Sequence, residues 1–290
     1  MVIKEQKDVE ITPSPFTEFS SEQKETYRDV NINPELSEHK KQEIQQLLVE
    51  FADIFTDVPK VTNLGEHAIH VTTSEPVRTR PYSLPFAVRE EVNQEIDSML
   101  RHQIIEPSSA SYMSPIVVVK KSDGSNRICV DYRKLNKVTV FDPEPMPQMQ
   151  EIFSGLSGSQ YFSKFDFCKG YWQVSMRPHD RDLTTFVGPE GVYRFRVMPF
   201  GLVNAPATFS RIMRKLLRGL RNLRNYLDDV LGHTGSWAEH PNILREFFTR
   251  VRAANLAMKP SKCFVGYTSL VFLGHKLGPG SLSPNRQIGR

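Results

Sequence analysis

Apolar residues recur at helical spacing at Ile44, Leu47, Leu48, Phe51, Ile54 and Phe55, one face of an amphipathic helix that Ser37 is placed to cap. Val88, Val92, Ile96, Met99 and Leu100 form a second such face, with Arg89, Glu90, Glu91 and Glu95 on the other side. Between the two, VRTRPYSLPF holds Pro81 and Pro85, which exclude regular helix and predict an extended strap. Past Pro115 the period shortens. PIVVVKK and NRICVDY are β-branched runs around an Asp-Gly pair, a hairpin signal. SQYFSKFDF predicts a strand, and GVYRFRVMPFG alternates Tyr193, Phe195 and Val197 up to Gly201. NAPATFSRIMRKLLRGLRNLR predicts a helix with Phe209, Ile212, Met213, Leu216, Leu217, Leu220 and Leu223 on its apolar face. NYLDDVLGH predicts a hairpin, PNILREFFTRVRAANLAMKPS a further helix, and YTSLVFLGHKLG a closing strand and turn. Residues 1–35, polar, acidic and dotted with proline, predict a poorly ordered leader. Strands and helices mix without regular βαβ alternation, so the fold class is α+β.

Composition adds one feature. The net charge of +4 hides an asymmetry: residues 1–75 carry 7 Lys/Arg against 15 Asp/Glu, a net of −8, and the remainder carry 30 against 18, a net of +12. A basic body raises the expectation of a polyanionic partner. Arg211, Arg214, Lys215, Arg218, Arg221 and Arg224 line one predicted helix, readable as a contact for a nucleic-acid backbone or as a solvated face. Cys129, Cys168 and Cys263 show no CxxC spacing, which fits a reducing compartment. No signal-peptide pattern opens the chain, and no apolar run is long enough to span a bilayer.

The candidate chemistry lies in carboxylates that interrupt apolar strands. In RNYLDDVL, adjacent Asp228 and Asp229 would point to opposite faces of a continuous strand, driving one acid into the core. A tight turn resolves this, with Tyr226-Leu227 and Val230-Leu231 as its arms. A surface turn of no further consequence has the same sequence. Asp166, between Phe165 and Phe167, breaks a second apolar strand. Were the two strands neighbours, their acids would converge, and convergent carboxylates suit hard cations such as Mg²⁺. Paired ions of this kind serve in-line phosphoryl displacement.

Taken in order, RICVDYRKLNKVT, FSKFDFCKGYWQV, RFRVMPFGLVNAPATFSRIM, YLDD and FLGH resemble a reverse transcriptase of the gypsy-type long-terminal-repeat retrotransposons and their retroviral relatives. The resemblance covers roughly residues 60–280 and implies a right-hand polymerase fold of fingers and palm. It divides the chain into an acidic leader or spacer with one helix (1–60), a strap, helix and fingers hairpin (61–145), a palm with a fingers portion near 180–200 (146–280) and a short tail (281–290). It implies RNA-directed DNA polymerase activity, with an RNA template, a DNA primer, deoxynucleoside triphosphates and two Mg²⁺ ions, or Mn²⁺.

The implied roles follow residue by residue. Asp166, Asp228 and Asp229 match the palm aspartates, and the carbonyl of Phe167 would complete a metal shell. Tyr171 falls where the family has an aromatic steric gate beneath the sugar, though a core tyrosine would read the same. Lys120, with Lys121 as a competitor, and Arg127 match fingertip cations that grip a triphosphate. Asp131 and Arg133 match supporting positions of the fingers. Phe200 and Gly201 match the motif lining the nucleotide pocket. Retroviral enzymes carry glutamine where this chain has Phe200, which replaces a hydrogen-bonding group by an apolar wall. Lys259 falls near the family's triphosphate lysine, and equally reads as a helix-end cation. Tyr226 and Leu227, with the primer-grip match Phe272, Leu273, Gly274 and His275, would face primer and template; His275 also reads as a hairpin histidine without a role. Gly232 departs from the apolar residue usual there.

The chain ends at SLSPNRQIGR, where the family continues into thumb and ribonuclease H regions. The expectation is a fingers-and-palm product of low processivity from a polyprotein, acting in an intracellular virus-like particle. Two rivals remain: a non-catalytic nucleic-acid-binding fragment of the same fold, and a metal-dependent nuclease. The second leaves the fingers hairpin and Tyr171 without an explanation.

Overall fold

The structure, a computed structural model, describes residues 24–120 and 126–284. In chain order its α-helices are α1 (Glu38–Glu50), α2 (Phe86–Arg101), α3 (Arg133–Val138), α4 (Met149–Ser154), α5 (Ala205–Leu217) and α6 (His240–Ala253). The strands begin with β1 (Asn31–Ile32), β2 (Glu66–His67), β3 (Ile105–Pro107), β4 (Ser114–Lys120) and β5 (Asn126–Val130). They continue with β6 (Tyr161–Asp166), β7 (Ser175–Met176), β8 (Phe186–Val187), β9 (Val192–Phe195) and β10 (Leu223–Tyr226). The last five are β11 (Asp229–Thr234), β12 (Phe264–Tyr267), β13 (Leu270–Phe272), β14 (His275–Gly278) and β15 (Ser281–Pro284). The α+β class read from the sequence holds. The chain divides into two units, one of residues 67–141 and 176–205, the other holding 24–66, 142–175 and 206–284.

The first unit is built on a sheet of order β3-β9-β8-β4-β5. Its β4–β5 ladder runs from Ile116↔Val130 to Lys120↔Asn126, the hairpin that the two β-branched runs predict. The Asp-Gly turn joining them, with Lys121, lies outside the described residues. Helix α2 buries Val92, Ile96 and Met99, the face its periodicity marks. The proline strap is extended as expected, with Thr79 N donating to Met113 O (2.9 Å) and Met113 N to Val77 O (3.0 Å).

The second unit carries a sheet of order β1-β12-β6-β11-β10. Helix α6 covers one face: the Phe165 ring lies 5.3 Å from Phe247 and 5.4 Å from Phe248. Phe51 and Phe55 reach the same Phe248 from the end of α1. Ser37 caps α1 as expected, accepting from Lys40 N. Residues 24–35, expected within a poorly ordered leader, are built into this unit from Lys24 on. Thr26 and Asp29 form a capping box, and β1 pairs in parallel with β12. The cause is a set of partners remote in sequence: Asn31 Nδ2 donates to the carbonyls of Ser261 and Cys263, and Asn33 Nδ2 to that of Gly266.

Three helices stop short of their predicted ends. Helix α1 ends at Glu50, and Ile54 and Phe55, expected on its apolar face, belong to a separate 3-10 turn, Ala52–Ile54, and its cap. Helix α5 ends at Leu217 because Gly219 turns the chain at φ +83°, and Leu223, expected on the helix, opens β10. Helix α6 ends at Ala253, where Asn255 adopts φ +51°. The cations of the basic run are largely tied to acceptors of their own unit. Arg211 pairs with Asp142 (2.6 Å), Arg214 with Glu144 (2.6 Å), and the Lys215 ammonium donates to Leu64 O (2.9 Å). Residues 281–284, expected as tail, form a third strand on β14. No helix among the described residues is long and apolar enough to cross a membrane.

Candidate active site

Strand alternation sorts the residues of β6 and β11 by face. Ser163, Phe165, Val230 and Gly232 turn toward α6. Phe162, Lys164, Asp166, Asp229, Leu231 and His233 share the opposite face, since Asp229 pairs with Asp166, Leu231 with Lys164 and His233 with Phe162. At one end of that face Phe162 and Leu231 join Ile152, Phe272 and Leu277 in a buried apolar cluster. At the other end lie the acids. The β10–β11 register matches Tyr226 with Asp229, leaving Leu227 and Asp228 as a two-residue turn. Leu227 sits at φ +53°, a left-handed conformation that ordinarily favours glycine. The turn read from the sequence is therefore present, and its Asp pair adjoins the end of the strand carrying Asp166.

Burial raises all three carboxyls above the usual carboxylate range. Asp166 is pushed up to about 7, by burial first and also by the charges of Asp228 and Asp229. Asp229 rises to about 6 through burial and the charge of Asp228. Asp228 is raised by burial too. Lys262 opposes the rise at each acid, and Lys164 at Asp166 and Asp229. Among the described residues no three His, Cys, Asp or Glu side chains stand at metal-cage spacing. The expected convergence is thus one of a shared electrostatic environment, in which like charges repel, and not of closed ligand geometry.

The backbone around the acids is pinned from β6 onward. Lys259 N donates to Asp166 O and Cys168 N to Ala257 O (both 2.9 Å), on either side of an antiparallel bridge between Phe167 and Met258. In such a narrow pair the carbonyl of Phe167 points away from Met258. Gln173, fully buried, supplies what the strand ladder cannot. Its Nε2 donates to Cys168 O and Ala257 O (both 2.8 Å), and its Oε1 accepts from Ala257 N (2.7 Å). Tyr171 is 9% exposed, with its ring 5.7 Å from Phe209. Burial and the Asp228 charge push its phenol up, so it stays protonated. Gly170 leaves only tight space for a side chain: an added Cβ would lie 3.2 Å from Phe209 Cζ and 3.3 Å from Asp228 Cβ.

The other expected site residues fall as follows. Lys259 N is bonded to the end of β6, but its ammonium is drawn toward Glu25 (4.0 Å). Phe272 and His275 close a two-residue turn in which Leu273 and Gly274 both have positive φ. Phe272 is buried in the apolar cluster. His275 Nδ1 donates to Leu273 O (2.9 Å), and its ring packs on Phe153. In the first unit, Lys120 stands opposite Asn126 and Arg127 opposite Val119, which sets the two cations on opposite faces of the ladder. The Asp131 carboxylate takes Arg133 (2.7 Å) in an ion pair. Gly201 has φ +92°, reason enough for a glycine, and Phe200 beside it is half-buried. Asn136 holds this loop, with Nδ2 donating to Gly201 O (2.8 Å) and Oδ1 accepting from Val203 N (2.9 Å). Gly232 is not a weakness: Leu223 and Leu244 side chains fill the space where its Cβ would stand.

Sequence reasoning missed Gly170, Gln173 and Lys262. Gln173 alone left a trace, as an amide inside the apolar GYWQV.

The central strand β6 and the adjoining β10–β11 hairpin thus bring three acids to one end of a sheet. The family model described as reverse transcriptase (RNA-dependent DNA polymerase) matches residues 119–277, and the chain belongs to that family. It is 38% identical over 231 residues to the retrovirus-related Pol polyprotein from transposon 297 of Drosophila melanogaster, covering 77% of this chain and 22% of that protein. It is 29% identical over 255 residues to the transposon Tf2-3 polyprotein of Schizosaccharomyces pombe, covering 84% and 19%. The chain thus spans about a fifth of these curated relatives. Its fold matches the foamy viral protease-reverse transcriptase solved with an RNA/DNA hybrid, with a TM-score of 0.81 at 21% identity over 87% of this chain and 35% of that one. A second structure of that viral protein, with double-stranded DNA, matches with a TM-score of 0.80 at 22% identity over 87% and 45%.

Proposed function

We propose that the chain carries the polymerase centre of a retroelement Pol polyprotein, adding deoxynucleotides to a primer 3′-hydroxyl along an RNA template. The observation that carries this is the cross-strand pairing of Asp166 with Asp229, with Asp228 in the adjoining turn. The second unit is then the palm and the first the fingers.

The donor chemistry fits divalent ions. Asp166 and Asp229, whose proton affinity neighbouring carboxylates raise, gain most from a compact positive charge, and oxygen donors suit Mg²⁺ or Mn²⁺. Asp166, Asp228 and Asp229, with the Phe167 carbonyl, would hold the metal. When bound it supplies the charge that activates the attacking hydroxyl and stabilises the leaving oxygen. The chain's own residues orient the substrates. Tyr171, rigid against Phe209, is the wall beneath the sugar that excludes a 2′-hydroxyl. Lys120, Arg127, Phe200, Gly201 and Lys259 serve the incoming nucleotide. Tyr226, Leu227 and the Phe272–His275 turn serve primer and template. The neighbours solved with an RNA/DNA hybrid and with duplex DNA support a nucleic-acid partner. The retrotransposon origin of the relatives supports action in an intracellular particle beside the rest of a polyprotein.

Primer extension on an RNA template with Mg²⁺ tests the reading. The chain should extend the primer, and Asp228→Asn should lose activity by about 10³-fold or more while binding template as before. No extension by the unaltered chain with either Mg²⁺ or Mn²⁺, or full activity in Asp228→Asn, would refute it.

A further inference from the structure

Past β6 the chain folds back on itself, and one side chain closes the loop. Lys169 adopts φ +48° and starts a single 3-10 turn, Gly170–Gln173, whose second residue is Tyr171. The turn's own bonds are Trp172 N to Lys169 O (2.8 Å) and Val174 N to Tyr171 O (3.1 Å). A lone 3-10 turn is weakly held by such bonds. This one is instead fastened at both ends to the same residue. At its entry Cys168 N donates to Ala257 O (2.9 Å). At its exit the Gln173 amide reaches Ala257 as well: Oε1 accepts from Ala257 N (2.7 Å), and Nε2 donates to Ala257 O and to Cys168 O (both 2.8 Å). The bond to Cys168 O ties the exit of the turn directly to its entry. Both Nε2 hydrogens and the oxygen are thus used, so the amide fits in one orientation only. The main chain at Gln173 is fixed too, with Thr62 N donating to Gln173 O (2.7 Å). Gln173 is fully buried, where water does not compete for these bonds. Between the two tethers stands Tyr171, its ring against Phe209.

We propose that Gln173 determines sugar specificity: by clamping both ends of the turn to Ala257 it fixes the position of the Tyr171 ring, and so sets how strongly a ribonucleotide is refused relative to a deoxynucleotide. The inference rests on the reading of Tyr171 as the wall beneath the sugar. Refusal of one hydroxyl by contact requires a wall that does not yield, and close packing alone fixes the ring only from the Phe209 side. Gln173 acts through the turn and is a positioning residue.

The test is single-nucleotide incorporation by the full chain, read as the ratio of kcat/KM for a deoxynucleotide to that for the matching ribonucleotide, with melting temperatures alongside. Gln173→Met keeps the length of the side chain and removes its hydrogen bonds. It should lower the ratio about tenfold, the size of effect that a small steric exclusion supplies. Gln173→Asn keeps the amide but is too short to span Ala257 and Cys168. It should lower the ratio in the same direction, which keeps the test decisive if Gln173→Met does not fold. Leu48→Ala, which truncates the buried face of α1 in the same unit, should lower the melting temperature and leave the ratio unchanged. Tyr171→Ala should collapse the ratio, and adding Gln173→Met to it should change the ratio no further, because both act through one wall. A ratio within about twofold of the unaltered chain in both Gln173 variants would overturn the proposal. So would an equal fall in Leu48→Ala, or a further fall when Gln173→Met is added to Tyr171→Ala. Failure of the underlying reading looks different: Tyr171→Ala itself would leave the ratio unchanged, or the unaltered chain would incorporate neither nucleotide, and the proposal would fall with it.

Discussion

Asp166 and Asp229 face each other across the β6–β11 ladder, the last residue of one strand against the first of the other. Like charges directly opposite destabilise a sheet. The pair therefore favours a bound proton or a bound cation, and the ion-free protein carries a pH signature.

The folded chain holds a proton on Asp166 up to about pH 7, whereas the unfolded chain releases it near the ordinary carboxylate value. Native protein then binds more protons than unfolded protein between roughly pH 4 and 7, and stability falls as pH rises through that window. Asp166→Asn removes this contribution. In EDTA the melting temperature of Asp166→Asn relative to the unaltered chain should climb from pH 4 to pH 7. A difference flat in pH would contradict the assignment.

The histidine behind the same strands should act in the opposite sense. His240 is buried, with Nε2 2.7 Å from Ser163 Oγ and Nδ1 2.9 Å from Thr234 Oγ1, and burial lowers its pKa to about 4. The unfolded chain takes up this proton near pH 6.5, so stability is lost as pH falls from about 6.5 to 4. Replacing His240 by Asn should lower stability at pH 7.5 and flatten that acid-side loss. Chemical denaturation of both proteins at several pH values gives the comparison.

Gly170→Ala should damage activity more than folding. The new methyl would press on Phe209 and on Asp228, each of which would have to yield by a few tenths of an ångström. A misplacement of about 1 Å can cost about a hundredfold in rate, so a shift of a few tenths should cost roughly two- to tenfold. Single-nucleotide incorporation rates, beside an unchanged circular dichroism spectrum, would establish it; an unaffected rate would mean that Asp228 moves freely.

Gln173→Ala should be among the most destabilising substitutions near the site. It strands the Cys168 carbonyl and the Ala257 amide in a buried region, while the Ala257 carbonyl keeps its bond from Cys168 N. Unsatisfied buried groups cost about 1–3 kcal/mol each, so a loss on the order of 3 kcal/mol in urea denaturation is expected. A change under about 1 kcal/mol would show that water reaches these groups.

Much of this was legible in the sequence because it depends on local pattern. Asp166, Asp228 and Asp229 announce themselves by interrupting apolar strands. The β4–β5 ladder, α1 with its Ser37 cap and α2 follow from periodicity and turn chemistry. What escaped depends on partners distant in the chain. Gly170 is required by Phe209 and Asp228, Gln173 is paired to Ala257, and β1 exists only because β12 offers it an edge. Helix α5 looked longer than it is because Leu220 and Leu223 continue its apolar stripe, while one glycine at positive φ ends it. The Lys259 ammonium, read near a triphosphate or as a helix-end cation, is drawn toward Glu25, a partner remote in sequence.

Anomalous diffraction from crystals of the chain soaked in Mn²⁺ tests the central claim most directly. The account predicts a Mn²⁺ peak within ligand distance of both the Asp166 and Asp228 carboxylates, lost in Asp228→Asn. Peaks confined to other surfaces, or an Asp166 carboxylate turned away from the Asp228 turn in the soaked crystal, would contradict it.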